Sequence, residues 1–254
     1  MKMITLEICC GSAEDALEAF RGGADRAELC GDLFHGGLTP SIGSLQVVRA
    51  ATDKPVMAMV RPREGGFCYT ETEFAVALRD AEALLAAGAD GLVFGFLHAD
   101  GTLDIRRTEQ LVALTKRAGK QSVFHRAFDV VPDWRKTMDE LISLGVTRIL
   151  TSGQEKDVSL ALDTVREMIA YAAGRIEVMP GAGITLRNMD RVIRETGCSA
   201  IHLAAHRPMT DTSTRNNRDI YYGGCLYPPE DLYSVTDRET VARVAEKTRA
   251  GSAY

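Results

Sequence analysis

The sequence predicts a single-domain α/β chain closed into a (β/α)8, or TIM, barrel, and three observations predict it. A unit of helix, glycine and short apolar strand recurs, as GGADRAELCG (22–31), AGADGLVFGF (87–96), LGVTRILTSG (144–153) and TGCSAIHLAA (196–205). The strand segments are apolar on both faces and alternate with helical patterns, as in a parallel sheet covered on both sides. The units are evenly spaced over 254 residues with no long polar linker and no GxGxxG after the first strand, which disfavours a doubly wound open sheet.

The strands follow in order. ITLEIC (4–9) leads to a helix near 13–22, RAELC (26–30) to one near 41–51, and VMAMVR (56–61) to one near 71–87. The helix near 71–87 shows the 3.6-residue period directly, through Phe74, Ala77, Leu78, Ala81, Leu84 and Leu85. GLVFGF (91–96), SVFHRAF (122–128) and RILTS (148–152) precede helices near 104–118, 133–144 and 158–173. IEVMP (176–180) and AIHLAA (200–205) precede helices near 185–196 and 237–250. Most of these helices end at a glycine, which takes the left-handed conformation of a C-cap. One segment breaks the rhythm. Residues 206–235, with four of the seven tyrosines, read as a long ordered loop that lies over the barrel mouth or against a second subunit.

Composition narrows the function classes. The chain is 45% hydrophobic and 26% charged with a net charge of −5, and it has no long basic run, so nucleic acid is not an expected partner. No apolar stretch reaches the ~20 residues that span a membrane. The start, MKMITLEICC, has no signal-peptide pattern, and the six cysteines form no CxxC. Together these predict reduced thiols and a cytoplasmic location.

In a (β/α)8 barrel the active face is the C-terminal end of the strands. Polar residues there are Glu7, Glu28, Arg61, His125, Arg126, Asp129 and His202, a candidate catalytic cluster, with Arg61, Arg126, His125 and His202 as the expected partners of the buried acids. Strand parity points Glu7 and Cys9, and likewise Glu28 and Cys30, into the lumen. Buried Glu–Arg layers also occur without catalysis, and a single lumen histidine is as readily a satisfied core residue. What favours function is the convergence of acids, imidazoles and guanidinium groups on one mouth.

Two sub-sites stand out. Thr151, Ser152 and Gly153 after the sixth strand, with Gly181 and Gly183 in PGAG after the seventh, form a candidate anion site where backbone N–H groups approach a ligand at a helix start. Cys9 and Cys30 form a candidate metal site. Strands one and two are neighbours, and each carries Glu-x-Cys, so matching register stacks the two sulfurs one layer above the two carboxylates. Paired thiolates, with Met59 as a third soft ligand, suit Cu(I). Cys10 faces the helices and is inert, and Cys68, Cys198 and Cys225 read as small hydrophobes.

EICCGSAEDALEAFRGGADRAELCGDLFHGGLTPSIG, MVRPREGGFCYT, GADGLVFGFLHADG, FHRAFD, RILTSG and MPGAGI, in this order, resemble the CutC copper homeostasis family over about residues 4–205. The resemblance implies a cytoplasmic (β/α)8 barrel that is a homodimer or higher homo-oligomer. It implies a role in copper tolerance, with Cu(I) bound at Cys9 and Cys30. The family's lumen residues fall on Glu7, Glu28, Arg61, His125, Arg126, Asp129, Thr151, Ser152 and His202. The chain departs from the family pattern in reading GAG where GGG is common at 181–183, and in Phe34–His35. The residues themselves leave two rivals open. One is an enzyme acting on a small anionic carbonyl or sugar substrate, phosphorylated or not, by acid–base chemistry. The other is a non-catalytic scaffold, which the polar mouth disfavours.

Overall fold

A computed structural model describes residues 3–217, 219–222 and 230–250. Eight parallel strands form the barrel: β1 (Thr5–Cys10), β2 (Arg26–Leu29), β3 (Val56–Met59), β4 (Gly91–Phe94), β5 (Gln121–Phe124), β6 (Arg148–Thr151), β7 (Glu177–Pro180) and β8 (Ala200–Leu203). They pair in the order β7-β6-β5-β4-β3-β2-β1-β8, and β7 lies beside β8 without a hydrogen-bonded ladder, so the ring is nearly closed. Helices alternate with them: α1 (Ala13–Arg21), α2 (Ile42–Ala51), α3 (Glu71–Ala86), α4 (Ile105–Arg117), α5 (Trp134–Leu144), α6 (Leu162–Ala172), α7 (Met189–Thr196) and α8 (Arg238–Ala250).

Local chemistry sets the helix starts. Ser12 accepts from the Asp15 N–H to open α1, and Thr70 with Glu73 forms a reciprocal capping box on α3. The expected helix at 185–196 begins later, at Met189, because the Asn188 side chain accepts from the Thr185 N–H at 2.7 Å and holds 185–188 as a turn. The expected strand 122–128 is shorter than its apolar run. His125 Nδ1 accepts from the Ala127 N–H at 3.1 Å, and Arg126–Val130 turn into a 3-10 helix.

Alternation along the strands sorts two interiors. Leu6, Ile8, Ala27, Leu29, Val56 and Ala58 belong to the large core between sheet and helices. The lumen is divided. Met57, Met59, Val93 and Val123 form an apolar cluster with Cys30, against which Cys9 and Leu33 pack. The side formed by β1, β2, β6, β7 and β8 carries Glu7, Arg26, Arg148, Glu177 and His202.

The segment 206–235 is not a plain loop. Its ends pair antiparallel as β9 (His206–Thr210) and β10 (Leu232–Thr236), and the Thr236 N–H is held by the Asp15 carboxylate of α1. Pro208 is accommodated because the two-stranded ribbon leaves outer edges free. Among the described residues, none from this segment lines the cavity at the barrel mouth. Tyr221, Tyr222 and Tyr233 stay exposed, and Tyr227 and Cys225 lie outside the described residues.

Candidate functional site

Charge balance in the lumen starts from Glu7, only 1% exposed. Its carboxylate meets Arg26 Nε at 2.5 Å and His202 Nδ1 at 2.8 Å, with Arg148 Nη1 at 3.7 Å. Arg148 and Arg26 also reach Glu177. Burial pushes the Glu7 carboxyl up, but the hydrogen bond and charge of His202, with Arg26 and Arg148, overcome it and hold the group at about 2. The acid's arginine partners are therefore Arg26 and Arg148, not the expected Arg61 and Arg126. Both share the inward parity of their strands but sit at the N-terminal strand ends, away from the mouth.

The sulfur site differs from its expected layering. β1 and β2 pair with Glu7 opposite Arg26 and Cys9 opposite Glu28, so the two Glu-x-Cys stretches are offset by two residues. Glu28 thus lies at the level of Cys9, not below it. Its Oε2 is 3.5 Å from Cys9 Sγ, 3.6 Å from Cys30 Sγ and 3.7 Å from His202 Nε2. The hydrogen bond from Cys30 pulls the Cys9 thiol well below its usual range against the effect of burial, and His202 adds to that pull. The same bond, with burial, pushes Cys30 up. Burial likewise pushes Glu28 up to about 8, with the negative charges of Cys9 and Glu7 outlasting the opposing pull of His202. Burial pulls His202 down, yet the charge of Glu28 and the bonds to Cys9 and Glu7 hold it well above its usual value. Cys9, Glu28 and His202 therefore titrate as one coupled group, with the thiol drawn down and the carboxyl and imidazole drawn up. Cys10 is buried, donates to the Ile8 carbonyl at 3.4 Å, and is pushed up by burial.

Above this floor opens a cavity of ≈ 580 Å³, walled by Met59, Phe67, Leu150, Ile184 and Leu203 and by the polar groups of Arg61, His125 and Arg126. The candidate cluster is therefore not one hydrogen-bonded network. Arg61 spends three bonds on the carbonyls of His35, Gly37 and Gly65. Arg126 pairs with Asp129 at 2.8 Å and donates to Ser152 Oγ at 2.9 Å. Asp129 accepts from Thr151 Oγ1 and from the Ser152 N–H, so these two hydroxyl residues hold a carboxylate of the chain itself. Gly153 packs against Ala161 and Val165, away from the cavity. Ala182, Gly183, Ile184 and Thr185 do line the cavity, while Gly181 sits against Leu150 and His202. Ala182 and Gly183 both have positive φ (68° and 78°), and a Cβ on Gly183 would strike the Asp157 carboxylate.

Among the described residues, two groups of donor atoms lie within 4.8 Å of one another: Cys9, Glu28 and Cys30, and Glu7, Glu28 and His202. The first offers two soft sulfurs beside the apolar methionine wall. The second is hard, but Glu7 and His202 already satisfy each other.

Comparison with known proteins agrees with this architecture. A chain from Treponema denticola called a family protein CutC is 51% identical over 244 residues, covering 96% of this chain and 98% of its own. The human copper homeostasis protein cutC homolog is 40% identical over 91% of this chain and 84% of its own. The crystal structure of a CutC protein from Streptococcus agalactiae superposes with a TM-score of 0.74 at 34% identity, covering 79% of this chain and 98% of that one. Phosphoribosylanthranilate isomerase from Pyrococcus furiosus, at 13% identity and a TM-score of 0.55, shares the fold alone. Residues 4–207 match the CutC family, and with these relatives and this barrel the chain belongs to the CutC family.

Proposed function

We propose that the chain binds Cu(I) through Cys9 and Cys30 and contributes to copper tolerance. The observation that carries this reading is the approach of both sulfurs to one carboxyl oxygen, at 3.5 and 3.6 Å, on the floor of a cavity. Thiolates prefer Cu(I) over hard cations, and Met57, Met59, Val93 and Val123 give the sulfurs an apolar wall on one side. The copper homeostasis name of the human relative supports the same reading. It carries with it a cytoplasmic location, supported by Cys9, Cys10, Cys30 and Cys68 being free and by no described helix being long and apolar enough to cross a membrane. It also carries a homo-oligomer, supported by the exposed Met209, Tyr221, Tyr222, Leu232 and Tyr233.

An anaerobic Cu(I) titration against a chromophoric chelator tests it. Cys9→Ser and Cys30→Ser each abolish tight binding and fail to restore copper tolerance to a strain lacking the gene. Undiminished binding by the double variant would make the sulfurs packing groups only.

A second reading is favoured by the cavity itself, which has the size of a small-molecule site and is lined by Arg61, His125 and Arg126. In it the barrel is an enzyme acting on a small anionic carbonyl or sugar substrate by acid–base chemistry.

A further inference from the structure

We propose that Cys9 is an acyl-accepting nucleophile, that His202 Nε2 is the base that takes its proton and Glu7 the acid that positions the ring, and that the substrate is a small anionic acyl compound. This rests on the second reading above and assigns its chemistry.

Three adjacent strands carry the groups, and their ladders set the spacing. β1 stands between β8 and β2, with Glu7 opposite His202 on one side and Cys9 opposite Glu28 on the other. Glu7 Oε2 accepts from Arg26 Nε, and Glu7 Oε1 accepts from His202 Nδ1 at 2.8 Å. With Nδ1 committed to that bond, Nε2 is the ring nitrogen left to act as base. The imidazole also bonds the Cys9 side chain, and Glu28 Oε2 touches both groups, 3.7 Å from Nε2 and 3.5 Å from Cys9 Sγ. Sulfur, imidazole and carboxylate thus stand in the order of a nucleophile, its base and the group that orients the base.

Access separates the two lumen sulfurs. Cys30 is 1% exposed and does not line the cavity, whereas Cys9 is half-buried and lines it beside Glu28 and His202. Cys9 is also the next-to-last residue of β1, at the strand end where barrels of this kind do their chemistry. Glu7, Cys9 and His202 all lie on strands, so their geometry is set before a ligand arrives. Arg61 and Arg126 line the same cavity and favour a carboxylate or phosphate on the substrate, and Arg61 bonds carbonyls instead of an acid of the chain.

The reaction of an acyl compound R–CO–X closes as follows. An electron pair of Cys9 Sγ forms the S–C bond, the thiol proton moves to His202 Nε2, and the carbonyl π pair moves to oxygen. When that pair returns, the C–X bond breaks, and X leaves with its electron pair and the proton from Nε2. Water then attacks the thioester while Nε2 takes its proton. The C–S bond breaks, and the proton on Nε2 restores the thiol. The sum is R–CO–X plus water giving R–COOH and HX.

The test uses the intact protein, copper-free and reduced, with acetyl phosphate as the probe, and maps the acetyl group by peptide mass spectrometry. The expected result is a thioester on Cys9, cleaved by neutral hydroxylamine, that forms about tenfold faster than one on the exposed Cys68. His202→Gln slows its formation about 100-fold, the scale of a lost general base. Glu7→Gln slows it too, and long-range 15N–1H spectra of the labelled imidazole show the proton displaced from Nδ1, which a merely structural role of Glu7 would not produce. The map of the unaltered protein decides the nucleophile even if these variants do not fold. Acetyl groups on Cys68 or lysines with Cys9 untouched, or a folded His202→Gln that reacts as fast as the wild type, overturn the assignment. In that case, calorimetric binding of acetyl phosphate or inorganic phosphate leaves the enzymatic reading standing, and binding of neither at millimolar concentration overturns both.

Discussion

Cys9 stands opposite Glu28, not opposite Cys30, in the ladder between the first two strands. The carboxyl therefore touches both sulfurs, and any metal held by them has Glu28 as its nearest neighbour. Glu28→Gln keeps the shape and the neutral charge of that group, so Cu(I) affinity stays within about tenfold of the wild type. Glu28→Leu removes the polar contact and lowers affinity by about 10–100-fold, the range for partners that orient metal ligands. The chelator titration measures both. Equal affinity for Glu28→Leu and the wild type would remove the carboxyl from the site.

Arg148 is 3% exposed and stands between Glu7 and Glu177. Arg148→Met strands buried carboxylate charge, and the expected loss is about 3–5 kcal/mol in urea unfolding. Arg126→Met removes a pair whose arginine is 44% exposed and whose Asp129 keeps its bonds to Thr151 and Ser152. That change costs about 1 kcal/mol or less. A reversed order would show that the Glu7 network relaxes without Arg148.

The turn after β7 gives opposite expectations for adjacent residues. Ala182 has φ 68°, a conformation that disfavours a Cβ, so Ala182→Gly stabilises the fold by up to about 1 kcal/mol. Gly183→Ala drives a Cβ into the Asp157 carboxylate and destabilises by more than 1 kcal/mol, roughly the scale of substitutions at incompatible φ. Thermal melts of the two variants separate these outcomes.

His125 predicts a pH window. Its folded value of about 3 lies below the ordinary 6.5, set by burial and by Arg61 and Arg126, with Phe67 and Phe124 packed against the ring. The unfolded chain binds the extra proton between these values, so stability rises with pH there, by up to about 1.4 kcal/mol per unit, and is flat above. His125→Gln carries no such proton. The difference in unfolding free energy between wild type and variant should therefore change from pH 4 to 6.5 and hold constant from 7 to 8. A difference independent of pH across the whole range would mean that the ring titrates normally.

The barrel was legible in the sequence because each βα unit repeats its own local signals: an apolar strand, a periodic helix and a glycine between them. The inward parity of Glu7, Cys9, Glu28 and Cys30 was legible for the same reason. The offset between β1 and β2 was not. Stagger is a property of strand pairing around a closed ring, and neither ITLEIC nor RAELC carries it alone. Arg26 and Arg148 carried a usable signal, since each leads a strand at an inward position, but both lie at the strand starts, opposite the mouth where barrel sites form. The ends of SVFHRAF and of the helix before Thr196 were set by single side chains, His125 and Asn188, bonding to nearby N–H groups.

The missing ladder between β7 and β8 makes the barrel a split ring, with a lip on each side of the cut. Gly181 follows one lip and His202 belongs to the other, and a Cβ on Gly181 would lie 3.4 Å from His202. Across the gap the wall is held by side chains, among them Leu150, Met179 and Ala200, instead of by backbone bonds. Such a seam spreads at lower cost than a continuous hoop. The imidazole beside the Cys9 sulfur is therefore mounted on the most compliant edge of the cylinder, and the amides of the two lips should exchange with solvent before those of any other strand pair.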